Sequence, residues 1–473
     1  LQVAFPRGPL VKEIRRQRVV TCDSLKELIA KEGIEFVDFK IVDLIGRWRH
    51  ITIPASRFTP HLVENGVAFD GSNFGYASVE GSDMVLLPDL DTATIDYYSD
   101  EKVLSIITDI YLAGGKGPFR GDPRGVIKRA EGYLVSEGIA EAAMMSPEFE
   151  FYVFSQAEYR SGSVESYYAL TPLNGHTEHS FYHISPPEDQ LFILRNEICR
   201  RLEERGIPVK YHHHEVGPLG QLEIELGFDR PLKMADTTLI IKSIVRNVSA
   251  EAGLSATFMP KPIYGENGNG MHVHQFLASK GKSLFEGKGG LSELGLCYVG
   301  GILSHGRSLF GLTNPSTNSY CRLVPGYEAP VSLAFGEGNR SAAIRIPGYA
   351  TPAERRIELR TVDATCNPYF AYAGMLMAGI DGIKRNLNAK DLGLGPYNQD
   401  LYNLSAEEAA KIAQAPADLS EALCALEEDH DYLTAGGVFG EDQIADWITV
   451  KREEASQLRR RPHPYEFSLY YDL

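Results

Sequence analysis

The 473 residues carry 47 Lys and Arg against 63 Asp and Glu, a formal net charge of −16. That balance opposes both the phosphate backbone of nucleic acids and anionic membrane surfaces, so neither is an expected partner. The six cysteines, Cys22, Cys199, Cys297, Cys321, Cys366 and Cys424, lack the paired spacing of a zinc site or a disulfide framework. They read as reduced thiols, buried as small apolar side chains, in a cytoplasmic protein.

The length predicts one small and one large domain. Residues 1–20 read as a basic extension, with Arg7, Lys12, Arg15, Arg16 and Arg18 and no apolar run behind them; a start at Leu1 rather than Met suggests processing or truncation. Ser24 and Glu27 form a capping-box pattern that opens a helix with Leu25, Leu28 and Ile29 on one face and Gly33 as its stop. Two β-rich runs, 33–43 and 48–54, flank a turn at Gly46 and read as a hairpin, and further strands are expected at 84–87 and 103–111. Together these make a small α+β domain over 21–118. The glycine-rich stretch 114–125 is the linker, and Asp122 with Pro123 opens a helix that ends near Gly138. A larger domain, 119–473, alternates strands with helices expected at 189–204 and 234–254, has a loop-rich interval at 155–187, and turns helical from Ser405 to a tail reading PHPYEFSLYYDL.

Within that larger domain, short strand-like runs place ionisable side chains two residues apart: Glu148 and Glu150, Glu223 and Glu225, His272 and His274, Glu358 and Arg360. Residues i and i+2 of a strand share a face, so one wall is charged while Phe149, Phe151, Leu222, Ile224 and Leu359 make the other apolar. Buried carboxylates cost several kcal/mol each without a partner, which predicts bound cations. A set of Glu148, Glu150, Glu215, Glu223, Glu358 and one His suits Mg²⁺ or Mn²⁺ better than zinc. Taken singly, each of these residues also fits an ordinary exposed strand face. The loop 265–270, GENGNG, reads either as a plain turn or as backbone brought close to a ligand. Arg322, Arg340, Arg345, Arg356 and Arg360 read either as surface salt bridges or as a phosphate and carboxylate site. Cations beside arginines point to phosphoryl transfer from a nucleotide.

These residues sit in long motifs: FDGS at 69–72, PEFEF, HHHEV at 212–216, NGNGMHVH, NPSTNSYCRLVPGYEAP at 314–330, NRSAAIRIP at 339–347 and RRIELR at 355–360. Over nearly the whole chain after residue 20 they resemble class I, bacterial-type glutamine synthetases. The resemblance implies a β-grasp-like N-terminal domain, then a catalytic domain whose antiparallel sheet forms an active-site channel flanked by helices. It further implies a homo-dodecamer of two stacked hexameric rings with sites between neighbouring subunits. Glutamate, ammonia and ATP would give glutamine, ADP and phosphate through γ-glutamyl phosphate.

By the same resemblance, Glu150, Glu215 and Glu223 hold one metal, and Glu148, His272 and Glu358 the other. Asn267, Gly268, Arg322 and Arg360 bind glutamate. Arg340 and Arg345 meet the phosphates, with Phe228, His274 and Arg356 near the nucleotide. Glu328 closes the site and accepts a proton, and Asp70 of an adjacent subunit, Tyr182 and Glu215 hold ammonium. Asp70, Glu328, Arg340 and Arg360 make the catalytic set. Glu225 has no implied role, which leaves it a salt bridge.

Asn73 departs from the serine that usually follows FDGS, so a γ-glutamyl ligase for another amine is an alternative, and a non-catalytic structural relative a lesser one. Phe276 and Ala353 are further departures. Tyr402 matches a tyrosine adenylylated in the regulated subgroup, which would bring an adenylyltransferase as partner; it reads equally as an unmodified surface tyrosine. The aromatic tail is expected to insert into the opposite ring.

Overall fold

The structure, a computed structural model, describes residues 20–77, 79–98, 101–173, 181–324 and 329–473. The basic extension, apart from Val20, lies outside them. The first helix, Cys22–Glu32, starts earlier than its sequence signal. Thr21 is the N-cap, accepting from the Ser24 N–H at 3.2 Å, while Ser24 Oγ accepts from the Thr21 N–H at 2.9 Å. Ser24 is thus the returning member of the capping box and not its first residue.

The strands Phe36–Val42 and Trp48–Pro54 form the expected antiparallel hairpin. Phe36–Val42 also runs parallel to Glu101–Leu112, which pairs antiparallel with Asp83–Pro88 and Thr94–Tyr98, and Val67–Asp70 closes the edge. Alternation sets the two faces: Val37 and Phe39 pack with Leu25, Leu104 and Ile106 beneath the first helix, while Val42 turns toward the core of the rest of the chain.

Arg124 ties this sheet to the rest of the chain. It opens the helix Pro123–Ser136, is fully buried, and bonds Asp236 at 2.9 and 3.0 Å, Asp109 at 2.6 Å and Asp89 at 3.0 Å. A buried guanidinium needs such complete pairing to offset its desolvation.

The second sheet runs Ser332–Glu337, Ala342–Ile346, Ile357–Leu359, Met271–Ser279, Ala142–Ser161, Gln221–Leu226, Val209–His214. It is antiparallel except at the Ser332–Glu337 edge, where the first pair is parallel. Its apolar face, Phe149, Phe151, Leu222, Ile224, Met271, Val273, Ile344 and Ile357, belongs to one core with Ile241, Val245, Met375 and Leu376 of the helices Pro231–Glu251 and Pro368–Lys384. Each such buried side chain contributes about 1.5–3 kcal/mol, which fixes the sheet's position and leaves its charged face to the site.

The loop expected at 155–187 is partly a hairpin: Ala142–Ser161 continues past Ser155 and pairs with Ser166–Pro172. Its outer residues, among them Tyr159, Val164 and Tyr168, are exposed, so no alternation of apolar and polar positions announces it. Cys199, Cys297 and Cys366 are buried as expected, but Cys321 and Cys424 are exposed. Among the described residues no helix is long and apolar enough to cross a membrane.

Candidate metal centre and active site

Strand register turns the paired residues into rows across the sheet. Glu223 stands opposite Glu150 on one side and His213 on the other. One step along, Glu225 faces Glu148, and Glu148 faces His272. In the next row His274 faces Glu358, which faces Arg345. Directly opposed residues share a face, so these rows form a single wall. Glu148, Glu150, Glu215, Glu223, His272 and Glu358 are all at most 8% exposed.

The wall divides electrostatically. His274 Nε2 lies 2.6 Å from Glu148 Oε1, and His272 Nδ1 3.2 Å from Glu148 Oε2. Burial would raise the Glu148 pKa, but the His274 charge and the two histidine hydrogen bonds hold it well below the usual carboxylate range. Glu358 bonds Arg345 at 2.5 Å and pairs with Arg360; burial would raise its pKa, but the Arg360 charge, then those of His274 and His272, bring it down to about 2. In the other half the Val216 N–H and the His213 charge do not outweigh burial. Burial first, then the neighbouring Glu150 and Glu223, push Glu215 up to about 9, and burial with Glu148 and Glu150 pushes Glu223 well above its ordinary value.

Metal-competent groupings obey this division. Ligand atoms of Glu148, His272 and Glu358 lie within 4.8 Å of one another, and so do those of His213, Glu215 and Glu223. Glu150 lies between the groups: its Oε1 is 3.6 Å from His272 Nε2, and its Oε2 accepts from the Gly270 N–H at 2.7 Å. The donors are mainly buried carboxylate oxygens, which fits a hard divalent cation. A third grouping, Glu148, Glu225 and His274, is also present. There Glu225 makes the salt bridge expected of it, with Lys210.

The loop before His272 is held by backbone. Tyr152 donates to the Asn267 carbonyl at 2.7 Å, and Gln221 Nε2 to the Gly268 carbonyl at 2.9 Å. A Cβ on Gly270 would lie 2.5 Å from Arg322 Nη2 and 2.8 Å from His272 Nε2, so any other residue would displace those side-chain ends. Arg322 is buried and donates to the Thr361 carbonyl at 3.0 Å. The Nε groups of Arg345, Arg356 and Arg360 are buried without a hydrogen-bond acceptor among the described residues. Buried donors left open in this way suit an anionic ligand.

Phe228 lies edge-on to His274 at 6.5 Å and to Phe276 at 5.2 Å, with the Arg356 guanidinium 5.7 Å above its ring. Tyr349, which has no motif of its own, also stacks under Arg356 at 5.3 Å. Arg340 is not drawn into the wall; it is exposed and lines an open pocket with Ser341, Asn398 and Tyr402. Tyr402 differs from a surface tyrosine in that its hydroxyl oxygen is buried.

Asp70 is exposed and bonds within its own turn, to Ser72 N–H at 2.9 Å, Ser72 Oγ at 2.7 Å and Asn73 Nδ2 at 2.8 Å; these bonds, Ser72's first, lower its pKa. The structure does not join it to the wall of its own chain. Tyr182 packs against His213, ring centres 5.4 Å apart. Glu328 lies outside the described residues. Sequence reasoning passed over His213, which lies within HHHEV but enters the site by register, opposite Glu223.

A wall of buried carboxylates, open arginines and a glycine-tight loop on an α+β scaffold defines a metal- and nucleotide-using enzyme. Comparison with known families makes the class specific. Residues 33–113 match the glutamine synthetase beta-Grasp domain and residues 120–470 the glutamine synthetase catalytic domain. The chain is 44% identical over 478 residues to a glutamine synthetase of Mycolicibacterium smegmatis, covering 96% of this chain and 99% of that one. It is 44% identical over 471 residues to one of Streptomyces coelicolor, covering 95% and 99%. Among solved structures, a Plasmodium falciparum glutamine synthetase aligns with TM-score 0.85 at 29% identity, covering 95% of this chain and 99% of that chain. An apo GmaS aligns with TM-score 0.81 at 27% identity over the same shares. The chain belongs to the glutamine synthetase family, with bacterial relatives matching it end to end. Its activity is that of a glutamate–ammonia ligase, dependent on ATP and a divalent metal.

Proposed function

We propose that ammonia is joined to L-glutamate along this wall, with two divalent cations, Mg²⁺ or Mn²⁺, held by Glu150, Glu215 and Glu223 and by Glu148, His272 and Glu358. The observation that carries the reading is the pair of buried groupings, Glu148, His272 and Glu358 on one side and His213, Glu215 and Glu223 on the other, with the buried Glu150 between them. Cations bound there would neutralise a transferring phosphoryl group and its acceptor carboxylate. The division at about residue 119 would then give a β-grasp unit and a catalytic unit.

This chain's own residues would do the rest. Arg322, Arg360, Asn267 and Gly268 hold glutamate so that its γ-carboxylate faces the γ-phosphate. Arg345, whose Nε lacks an acceptor among the described residues, and Arg340, after a swing of its exposed side chain, bind phosphate oxygens. Phe228, Arg356 and His274 border the nucleotide. γ-Glutamyl phosphate hydrolyses if wetted, so Glu328 would shield it and accept a proton as the amide forms. Ammonium rests between Tyr182, Glu215 and Asp70 of the partner subunit, which requires a closed ring; two such rings stacked as a dodecamer would be joined by the tail. We place the reaction in the cytoplasm, consistent with free cysteines. Adenylylation of Tyr402 by an adenylyltransferase would require its buried hydroxyl to turn outward.

Ammonium is preferred over a larger amine because the full-length bacterial relatives at 44% identity are glutamine synthetases. Purified protein supplied with ATP, glutamate, ammonium and either Mg²⁺ or Mn²⁺ should release phosphate and form glutamine in equal amounts. No phosphate release with either metal would overturn the reading.

A further inference from the structure

Beside the wall, three rings pack into one group. Phe181 is buried, its ring 5.3 Å from His214. The His183 N–H donates to the His214 carbonyl at 3.0 Å, and the Ile184 N–H to the Phe181 carbonyl at 3.0 Å. These tethers carry the chain through His183 at φ 61°, a left-handed conformation that costs a residue with a Cβ about 1 kcal/mol or more. The strain has a local result: the His183 ring stacks on Tyr182 at 4.1 Å and lies 4.2 Å from His213. His213 in turn reaches Glu223 Oε1 at 3.3 Å and Glu215 Oε1 at 3.7 Å. Tyr182 and His183 are both exposed, so the group opens to solvent on one side and to buried carboxylates on the other.

Aromatic faces next to carboxylates attract a protonated amine, the rings through their quadrupoles and the acids through their charge. The nucleophile of this ligase arrives as such a cation. Resting on the ligase reading above, we infer that His183 is a specificity-determining residue of the amine subsite. Its ring occupies the space beside Tyr182 and His213, so that ammonium reaches Glu215 while an N-alkylated ammonium does not fit. The strained backbone at His183 is what holds the ring there; with φ below zero the side chain would leave Tyr182 and His213.

The test uses His183→Gly and His183→Asn, both of which accept left-handed backbone and so remove the ring without adding strain, with His183→Phe as the ring-retaining control. Phosphate release is measured with ammonium and with methylamine, and kcat and KM are separated for each. A methyl group is discriminated about tenfold or more in a fitted pocket. The Gly and Asn variants should therefore raise the methylamine to ammonium ratio of kcat/KM about tenfold, mainly through the KM for methylamine, while the Phe variant stays near wild type. Equal losses for both amines in either folded variant, with the ratio unmoved, would overturn the inference and leave the ring as a mere support for His213. A wild-type enzyme that cannot use ammonium would instead remove the ligase reading itself.

Discussion

Glu150 and Glu223 stand directly opposite each other on adjacent antiparallel strands, 8% and 7% exposed. Two carboxylates in that relation cannot both ionise cheaply: burial, then Glu148 and Glu150, push Glu223 well above its ordinary value, so the metal-free chain must hold a proton there. The folded chain therefore carries a local cost that a divalent cation removes. Chelator-treated protein should melt below the same protein with Mn²⁺, by about 2.7 kcal/mol of stabilisation when the metal is at a hundred times its dissociation constant. Glu223→Gln should melt above wild type under chelator and lose most of the response to Mn²⁺. A metal-free Glu223→Gln protein less stable than wild type would mean that the pair is not repelling.

Gly270 sets the distance between the loop and the wall. In Gly270→Ala the new Cβ would press on the ends of Arg322 and His272, at 2.5 and 2.8 Å. Those side-chain ends can shift, so melting should change little. The glutamate-holding geometry would move, and an error approaching 1 Å costs about a hundredfold in rate. Steady-state kinetics with glutamate varied should show a loss of that order in kcat/KM; unchanged kinetics would show that Arg322 does not set substrate position.

His305 provides a pH-dependent clasp remote from the wall. Its Nδ1 is 2.9 Å from Asp429 and its Nε2 2.9 Å from Asp381, with the ring stacked 4.0 Å from Tyr432. Burial would lower its pKa, but the hydrogen bonds its ring donates to Asp429 and then Asp381 raise it above the ordinary 6.5. A histidine raised in the folded state contributes fully below its unfolded pKa and loses that contribution as pH rises through the folded one. Urea midpoints should thus fall from pH 6 upward in this component. His305→Gln should cost roughly 1–2 kcal/mol at pH 6 and flatten the profile. A wild-type profile that matches the variant's would exclude the clasp.

The tail exposes Tyr465, Phe467, Leu469, Tyr470, Tyr471 and Leu473 around the short helix Pro464–Tyr470. A cluster of that size is unfavourable in water unless another surface covers it. On the proposed dodecamer, removing residues 462–473 should convert double rings into single rings in sedimentation velocity, with the melting of each subunit nearly unchanged. Intact dodecamers after truncation would assign ring stacking elsewhere.

Much of the site was legible because a strand's two-residue period is a local property. Glu148, Glu150, Glu223, His272, His274 and Glu358 could each be assigned to one face before any strand was paired. Register is not local: that Glu148 lies between Glu225 and His272, or that Glu215 shares its grouping with His213, results from turns and core packing far apart in sequence. The rule was also generous, since Glu225 obeys it and pairs with Lys210. The hairpin beyond Ser155 was missed because a ribbon wet on both faces carries no apolar alternation. The left-handed turn at His183 gave no signal, because His is not a residue that marks positive φ as Gly does. The burial of the Tyr402 hydroxyl depends on tertiary packing that no motif encodes.

The rows across the second sheet bear on how such a chain can change over time. A single-residue insertion or deletion within Gln221–Leu226 or Met271–Ser279 would reverse every side chain beyond it, sending carboxylates into the helices and phenylalanines or leucines into the site. Substitution can therefore tune the wall one position at a time, but its strands cannot vary in length. Length changes should be tolerated in segments with no opposed row to preserve, of which the exposed tip between Ser161 and Ser166 is the clearest.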